Sequence, residues 1–337
     1  MLLSVIIPIY NAERYLSECV QSVLHEPIKE MELICVNDGS KDKSADILEM
    51  IKANDYRVRI INKKNSGYGD SMNIGLDAAT GKYIAFLESD DKLVPGTLSK
   101  MLELAERKQT EVIKGNYYLW HSETNHAELY DNLRMFSNGE LIEKEKFPDL
   151  FFLAPSIWSA LYNADFLREN KIRFLPTPGA SYQDTSFAFK IWARAERVVA
   201  VRDPVVYYRQ DNADSSSSDT GKVFCICDEF REIERFLKSD ELNLMGPIFA
   251  RVKFISYYWN INRLCPERKI EFLDGIFPEL LELRNNNWLK KQFWKDDWLV
   301  VNSCIDNLRE VENNLREGKS LYEAALNASQ GEKKTGC

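Results

Sequence analysis

The first 95 residues alternate between two kinds of hydrophobic periodicity, and that alternation limits the folds open to the chain. Ser4 to Ile9 is a short apolar, β-branched run closed by Pro8 and Asn11, and residues 12 to 25 place Tyr15, Cys19, Val20, Val23 and Leu24 at helical spacing. Glu32 to Val36 is a second strand, followed by the turn residues Asn37-Asp38-Gly39-Ser40, and Ser44 to Lys52 reads as a helix with Ile47, Leu48 and Ile51 on one face. Val58 to Ile61 is a third strand, Ser71 to Ala79 a further helix, and Tyr83 to Leu87 a fourth strand broken by Glu88-Ser89-Asp90-Asp91; Pro95 opens the next helix. Strands that each lead into a helix predict an α/β fold, a mostly parallel sheet with flanking helices. Ligands of such sheets bind beyond the carboxyl ends of the strands. Three polar turns, Tyr10-Asn11, Asn37 to Ser40 and Glu88 to Asp91, follow strand ends here and so share one rim.

A chain of 337 residues suggests about two domains. From 111 to 210 the pattern is less regular, with strands expected at Val112 to Trp120 and Val198 to Tyr208 and a helix at Thr185 to Ala195. Asp211 to Asp219 is a polar, serine-rich stretch with nothing to pack, and past 222 the chain reads as helical. The expected division is residues 1–215 as the α/β domain, 216–330 as a helical domain and 331–337 as a frayed tail.

Several function classes are disfavoured. A dinucleotide dehydrogenase needs G-x-G-x-x-G after its first strand, where this chain has Pro8-Ile9-Tyr10-Asn11-Ala12, and there is no G-x-x-x-x-G-K-[ST] phosphate loop. A formal charge of −8 argues against a nucleic-acid backbone as partner. Three histidines argue against a histidine-built zinc site, and seven cysteines without a C-x-x-C suit reduced thiols better than a disulfide framework. No apolar run reaches the roughly 18 to 20 residues that span a bilayer, and the N-terminus reads as a strand rather than a signal peptide. A cytoplasmic protein is expected.

What the rim does carry is acid. Carboxylates of Glu88-Ser89-Asp90-Asp91 suit Mg²⁺ or Mn²⁺, which bind through one or two carboxylates plus substrate phosphates. Taken alone, the same residues serve equally as turn caps. The order of the pieces narrows the choice. Pro8-Ile9-Tyr10-Asn11, then Val36-Asn37-Asp38-Gly39-Ser40-Lys41-Asp42, then Asn65-Ser66-Gly67-Tyr68-Gly69 with Met72-Asn73-Ile74-Gly75-Leu76, then Gly81 to Asp91, closely resemble the family 2 glycosyltransferases of GT-A fold over about residues 3 to 210.

The resemblance implies a Rossmann-like GT-A domain in which Pro8, Tyr10, Asn11 and Asp38 line the nucleotide pocket, Glu88, Ser89 and Asp90 lie at the ribose, sugar and metal, and Asp90 holds Mn²⁺ or Mg²⁺. Glu88 stands where the commonest family pattern has Asp. Gly67 and Asn73 are either donor contacts or a turn glycine and a helix cap. The family also places an acidic residue at the mouth of a later helix, which makes Asp184, in Ser181-Tyr182-Gln183-Asp184-Thr185, the candidate general base as well as a candidate cap. Trp158 is a sugar-stacking platform for the acceptor or a core residue of an apolar strand, and Arg209 is a diphosphate contact or a solvated strand-end arginine.

The implied reaction is inverting transfer of a sugar from a nucleotide-diphospho-sugar, UDP-linked by preference, to a glycan or lipid-linked acceptor in surface-polysaccharide synthesis. The alternatives are a non-catalytic nucleotide-sugar-binding protein and a nucleotidyltransferase of related fold. The aromatic and lysine-bearing segment Trp288 to Trp298 reads first as helical core and second as a peripheral contact with the inner membrane face. The helical region is also the candidate surface for a homodimer. The segment 211–221, next to Arg209, reads as a lid over the donor or as a plain linker.

Overall fold

The computed structural model describes residues 1–212, 222–285 and 295–335. It divides into two compact units, Met1–Ser216 and Ser217–Cys337.

In the first unit the strands are β1 (Leu3–Ile9), β2 (Met31–Asn37), β3 (Val58–Asn62), β4 (Tyr83–Phe86), β5 (Lys92–Leu93), β6 (Val112–His121), β7 (His126–Tyr130), β8 (Ala160–Asn163) and β9 (Val198–Arg209). The helices are α1 (Leu16–Leu24), α2 (Ser44–Lys52), α3 (Tyr68–Ala78), α4 (Thr97–Lys108), α5 (Phe147–Leu150), α6 (Ala164–Glu169) and α7 (Gln183–Arg194). All nine strands join one sheet in the order β3-β2-β1-β4-β8-β6-β9-β5, with β7 added along β6. The parallel part is β3-β2-β1-β4; beyond it β8 runs antiparallel to both β4 and β6, β9 is parallel to β6, and β5 and β7 are antiparallel additions, so the sheet as a whole is mixed.

The strands of the parallel part are near-continuous apolar runs because helices cover them: every residue of β1, β2 and β4 is buried. Pro8 sits inside β1, opposite Val36, although proline cannot donate to a ladder. Its position explains this. The Ile6 carbonyl accepts from Leu87 N at 3.1 Å, so Pro8, two residues on, faces the same neighbour just where β4 has ended. The missing donor falls where β4 leaves the sheet, and the gap so opened is the rim at which the acidic turn begins.

The second unit contains α8 (Cys225–Phe236), α9 (Ser239–Arg263), α10 (Pro266–Asn285), α11 (Lys295–Asp306), α12 (Leu308–Arg316) and α13 (Leu321–Thr335). Its core is built on Tyr257, whose ring lies 5.6 Å from Phe230 and 5.4 Å from Phe272, both near-perpendicular. Among the described residues no helix is long and apolar enough to cross a membrane. Trp288, Lys290, Lys291, Phe293 and Trp294, the centre of the expected membrane or core segment, lie outside the described residues, as do residues 213–221 of the expected lid.

Candidate active site

The rim is assembled by side chains that stitch one turn to the next. After β1, Tyr10 is 47% exposed and Asn11 takes a left-handed conformation (φ 51°), which asparagine tolerates better than most residues. Asn11 N donates to Ser40 Oγ at 3.1 Å and Lys41 N donates to Asn11 Oδ1 at 2.8 Å, so the first and second turns are held together. Asp38 is buried and accepts from Ser66 N (2.9 Å) and Gly67 N (3.0 Å), and pairs with Lys63 Nζ. That carboxylate therefore ties the second turn to the start of α3.

The start of α3 is itself packed against the loop before α7. Gly67 has φ 102°, and a Cβ there would stand 2.6 Å from the Thr177 carbonyl; one on Gly69 would stand 2.1 Å from the Leu175 carbonyl. Only glycine admits this approach. Asn73 spends both ends of its amide on the main chain of Phe174, at 2.9 and 3.0 Å. Gln183 is buried and donates to Thr177 Oγ1 at 2.9 Å. Gly67, Asn73 and Gln183 thus fix the path by which the chain enters α7.

Asp184 is the second residue of α7 and is half-buried. Burial pushes its carboxyl up to about 6, against the Thr185 amide and hydroxyl, which favour the charged form. Across from it, Glu88 accepts a 2.6 Å hydrogen bond from the Tyr68 hydroxyl. Burial pushes the Glu88 carboxyl up to about 8; the Tyr68 bond opposes this, while the charges of Asp90 and Asp184 add to it. Ser89, half-buried, joins the two acids of the turn. Asp90 accepts from Asn212 Nδ2 at 2.8 Å. Asp91, 1% exposed, accepts from Arg209 N at 2.8 Å through one oxygen and has no hydrogen-bond partner on the other; burial holds its carboxyl well above the usual range.

Arg209 is placed beneath this turn rather than in solvent. Its side chain is 2% exposed, lies between the rings of Tyr15 and Trp120 at 4.1 and 4.3 Å from their centroids, pairs with Glu18 at 2.8 Å and donates to the Asp90 carbonyl at 2.7 Å. Both faces of the guanidinium, its Nε and one Nη are thus engaged by the protein. Trp158 lies in a three-residue 3₁₀ turn, Ile157–Ser159, not in a strand. Its ring is buried against Tyr117 (4.6 Å) and Tyr208 (4.9 Å), and Lys114 Nζ pins the turn through Ser156 Oγ and Ser159 Oγ at 2.7 and 2.6 Å.

Sequence reasoning overlooked two tyrosines. Tyr68 reaches Glu88 from α3, and Tyr208 stands where burial, then the charges of Asp91, Asp90, Asp184 and Glu88, push its hydroxyl up to about 12. A tyrosine beside two glycines, and a tyrosine pair ending a strand, were the only signals for them. The carboxylates of Glu88 and Asp90 are hard oxygen donors at a strand end and fit a divalent cation. Among the described residues no group of three or more His, Cys, Asp or Glu side chains converges on one point, so a cation here would complete its shell with water and ligand phosphates.

The model of the family described as "Glycosyl transferase family 2" matches residues 4–166, a stretch that includes the rim through Asp91 but ends before Asp184 and Arg209. The chain is 29% identical over 218 residues to the uncharacterized glycosyltransferase EpsJ of Bacillus subtilis, covering 62% of this chain and 61% of that one. It is 29% identical over 224 residues to the poly(ribitol-phosphate) beta-glucosyltransferase of Bacillus spizizenii, covering 62% of this chain and 32% of that one. The match thus spans less than two thirds of the first relative and about a third of the second. Among solved structures, S. aureus TarS 1-349 in complex with UDP-GlcNAc superposes with a TM-score of 0.60 at 17% identity, covering 99% of this chain and 92% of the other. The mannosyltransferase PcManGT of Pyrobaculum calidifontis, in complex with GDP-Man and Mn²⁺, does so with a TM-score of 0.56 at 13% identity, covering 97% and 85%. Both likenesses establish the GT-A fold.

Proposed function

Because the chain belongs to glycosyltransferase family 2, we propose that it transfers a sugar, with inversion, from a nucleotide-diphospho-sugar to a hydroxyl of a glycan or lipid-linked acceptor. The observation that carries this reading is the approach of two acidic elements from distant segments: Glu88 and Asp90 beyond β4, and Asp184 at the mouth of α7, close enough for the Asp184 charge to raise Glu88. A carboxyl near 6 is ionised at neutral pH yet basic enough to take a proton, which suits Asp184 as general base. In the step we assign, the acceptor oxygen attacks the anomeric carbon, Asp184 takes the hydroxyl proton, and the bond from that carbon to the diphosphate oxygen breaks with its electron pair. The nucleoside diphosphate leaves, and one displacement inverts the anomeric centre.

Asp90, with Glu88 beside it, would hold Mn²⁺ or Mg²⁺, which when bound offsets the charge of the departing diphosphate. Tyr10, Asn11 and Asp38 line the side of the rim assigned to the nucleotide, with Pro8 beneath them. A UDP donor is supported by the UDP-GlcNAc complex of a structural neighbour, and a polyhydroxylated polymer as acceptor by the poly(ribitol-phosphate) enzyme among the relatives. Surface-glycan assembly is the setting we assign.

The test is a panel of UDP-, GDP- and dTDP-sugars incubated with the chain and Mn²⁺, with and without polyol and glycan acceptors. The expected result is release of the nucleoside diphosphate from one donor class and a product of inverted configuration. Tight donor binding without release would make the protein a nucleotide-sugar-binding module, and a retained configuration would overturn the single displacement.

A further inference from the structure

Glu88 raises a problem of geometry. Relative to Asp, it adds one methylene and one rotatable bond, so its carboxylate needs something to hold it. The structure supplies a hold from α3. Tyr68 is the first residue of that helix, its amide donates to the Gly179 carbonyl at 2.9 Å, and the glycines on either side approach Thr177 and Leu175 too closely for any Cβ. Its backbone therefore has little freedom. Its ring meets Phe174 edge-on at 6.0 Å, and Phe174 stacks on Phe187 at 4.0 Å and 9°. Phe187 lies three residues after Asp184 on α7, within the same turn of helix. The Tyr68 hydroxyl then reaches Glu88 Oε1 at 2.6 Å. A continuous packed path runs from the acidic turn to the helix bearing the base.

We propose that Tyr68 is a positioning residue: its hydroxyl fixes one oxygen of Glu88, and its ring keys the acidic turn to the helix of Asp184 through Phe174 and Phe187. This rests on the glycosyltransfer reading for its consequence in catalysis, but the pairing itself does not. The hold is specific to glutamate. Shortening residue 88 by one methylene withdraws its carboxylate by about 1.5 Å, beyond hydrogen-bond reach of Tyr68. Tyr68→Phe and Glu88→Asp should therefore remove the same interaction.

The experiment is a double-mutant cycle on the full chain, with Tyr68→Phe, Glu88→Asp and the pair, measuring kcat and KM for the donor that the wild type accepts, and the melting temperature of all four proteins. Tyr68→Phe should lower kcat about 3- to 10-fold, the range of a single neutral hydrogen bond, with the donor KM changed less than about twofold. The double variant should be no more than about twofold slower than the worse single one. Multiplicative losses, or near-normal kcat in Tyr68→Phe, would overturn the proposal. If Tyr68→Phe fails to fold, Glu88→Gln, which keeps an acceptor for the hydroxyl, should retain the wild-type melting temperature while Glu88→Asp does not; equal melting of the two overturns it. A wild type that turns over no donor defeats the functional reading alone. The cycle is then read from the melting temperatures, where additive shifts deny the Tyr68–Glu88 pairing.

Discussion

Replacing Asp184 by Asn should make the protein more stable and nearly inactive, and the stability gain should depend on pH in a defined way. The folded carboxyl lies at about 6, against 3.8 for the free side chain. A folded value raised above the unfolded one means that the neutral form is preferred in the fold. The protein then loses stability as pH rises from the unfolded value to the folded one, and the loss is constant above that. At about 1.36 kcal/mol per unit, the shift amounts to a ceiling of about 3 kcal/mol at pH 8, and about 1.6 kcal/mol at pH 5. Because Asp184 is half-buried, water reduces both figures, but not the direction. Asn keeps an oxygen for the α7 amides and cannot ionise. Denaturant unfolding of the wild type and Asp184→Asn at pH 5 and pH 8 reads the difference, since every other titrating group cancels. The gap should widen by roughly 1 kcal/mol between the two pH values. Turnover should fall about 10²- to 10⁴-fold in the variant, and in the wild type should decline as pH drops through about 6. A gap that is the same at both pH values, or an Asn variant less stable at pH 8, would refute the reasoning.

Three further outcomes are expected. Asp90→Ala should abolish Mn²⁺-dependent nucleotide binding, measured by calorimetry, with stability changed by less than about 0.5–1 kcal/mol, and wild-type activity that survives EDTA would remove the metal from the scheme. Arg209→Ala should cost about 2–3 kcal/mol in unfolding experiments, because it empties the Tyr15–Trp120 sandwich and leaves the Asp90 carbonyl and the Glu18 carboxylate without their donor. Gly69→Ala should cost about 1–3 kcal/mol and raise proteolysis of the loop 175–182, because its methyl meets the Leu175 carbonyl; an unchanged cleavage pattern would speak against the close approach.

The α/β half of the fold was legible because its elements obey local rules. The helix α2 has its apolar residues on one face and runs from Ser44 to Lys52 as its periodicity predicts. By contrast α3 begins at Tyr68, three residues before the expected Ser71, since Gly67-Tyr68-Gly69 reads as a turn until the loop that packs on it is known. The strands β5 and β7 were missed, and β8, read as an apolar strand holding Trp158, begins only after that residue, all for a shared reason. One is two residues long, one is mostly exposed and the third follows a 3₁₀ turn, so each exists through its partner strand and not through its own pattern. The same division runs through the site. A run of acids after a strand is visible in sequence, whereas Arg209 takes its character from Tyr15, Glu18 and Trp120, and Tyr68 from Glu88, none of which is a sequence neighbour.

The tie between Arg209 and the acidic turn also orders events during synthesis. Arg209 bonds Asp91 across 118 residues of chain and Glu18 across 191, and it is the last residue of the last strand in the sheet. As the chain leaves the ribosome, the segment that would grip donor and metal emerges early, yet the guanidinium that props it from below arrives only when the whole first unit is out. Contacts of such long range close slowly. A nascent or clipped chain ending before residue 209 keeps the acidic turn and lacks its support, so under the proposed function the grip on a sugar nucleotide would be withheld until the segment bearing Asp184 is also out.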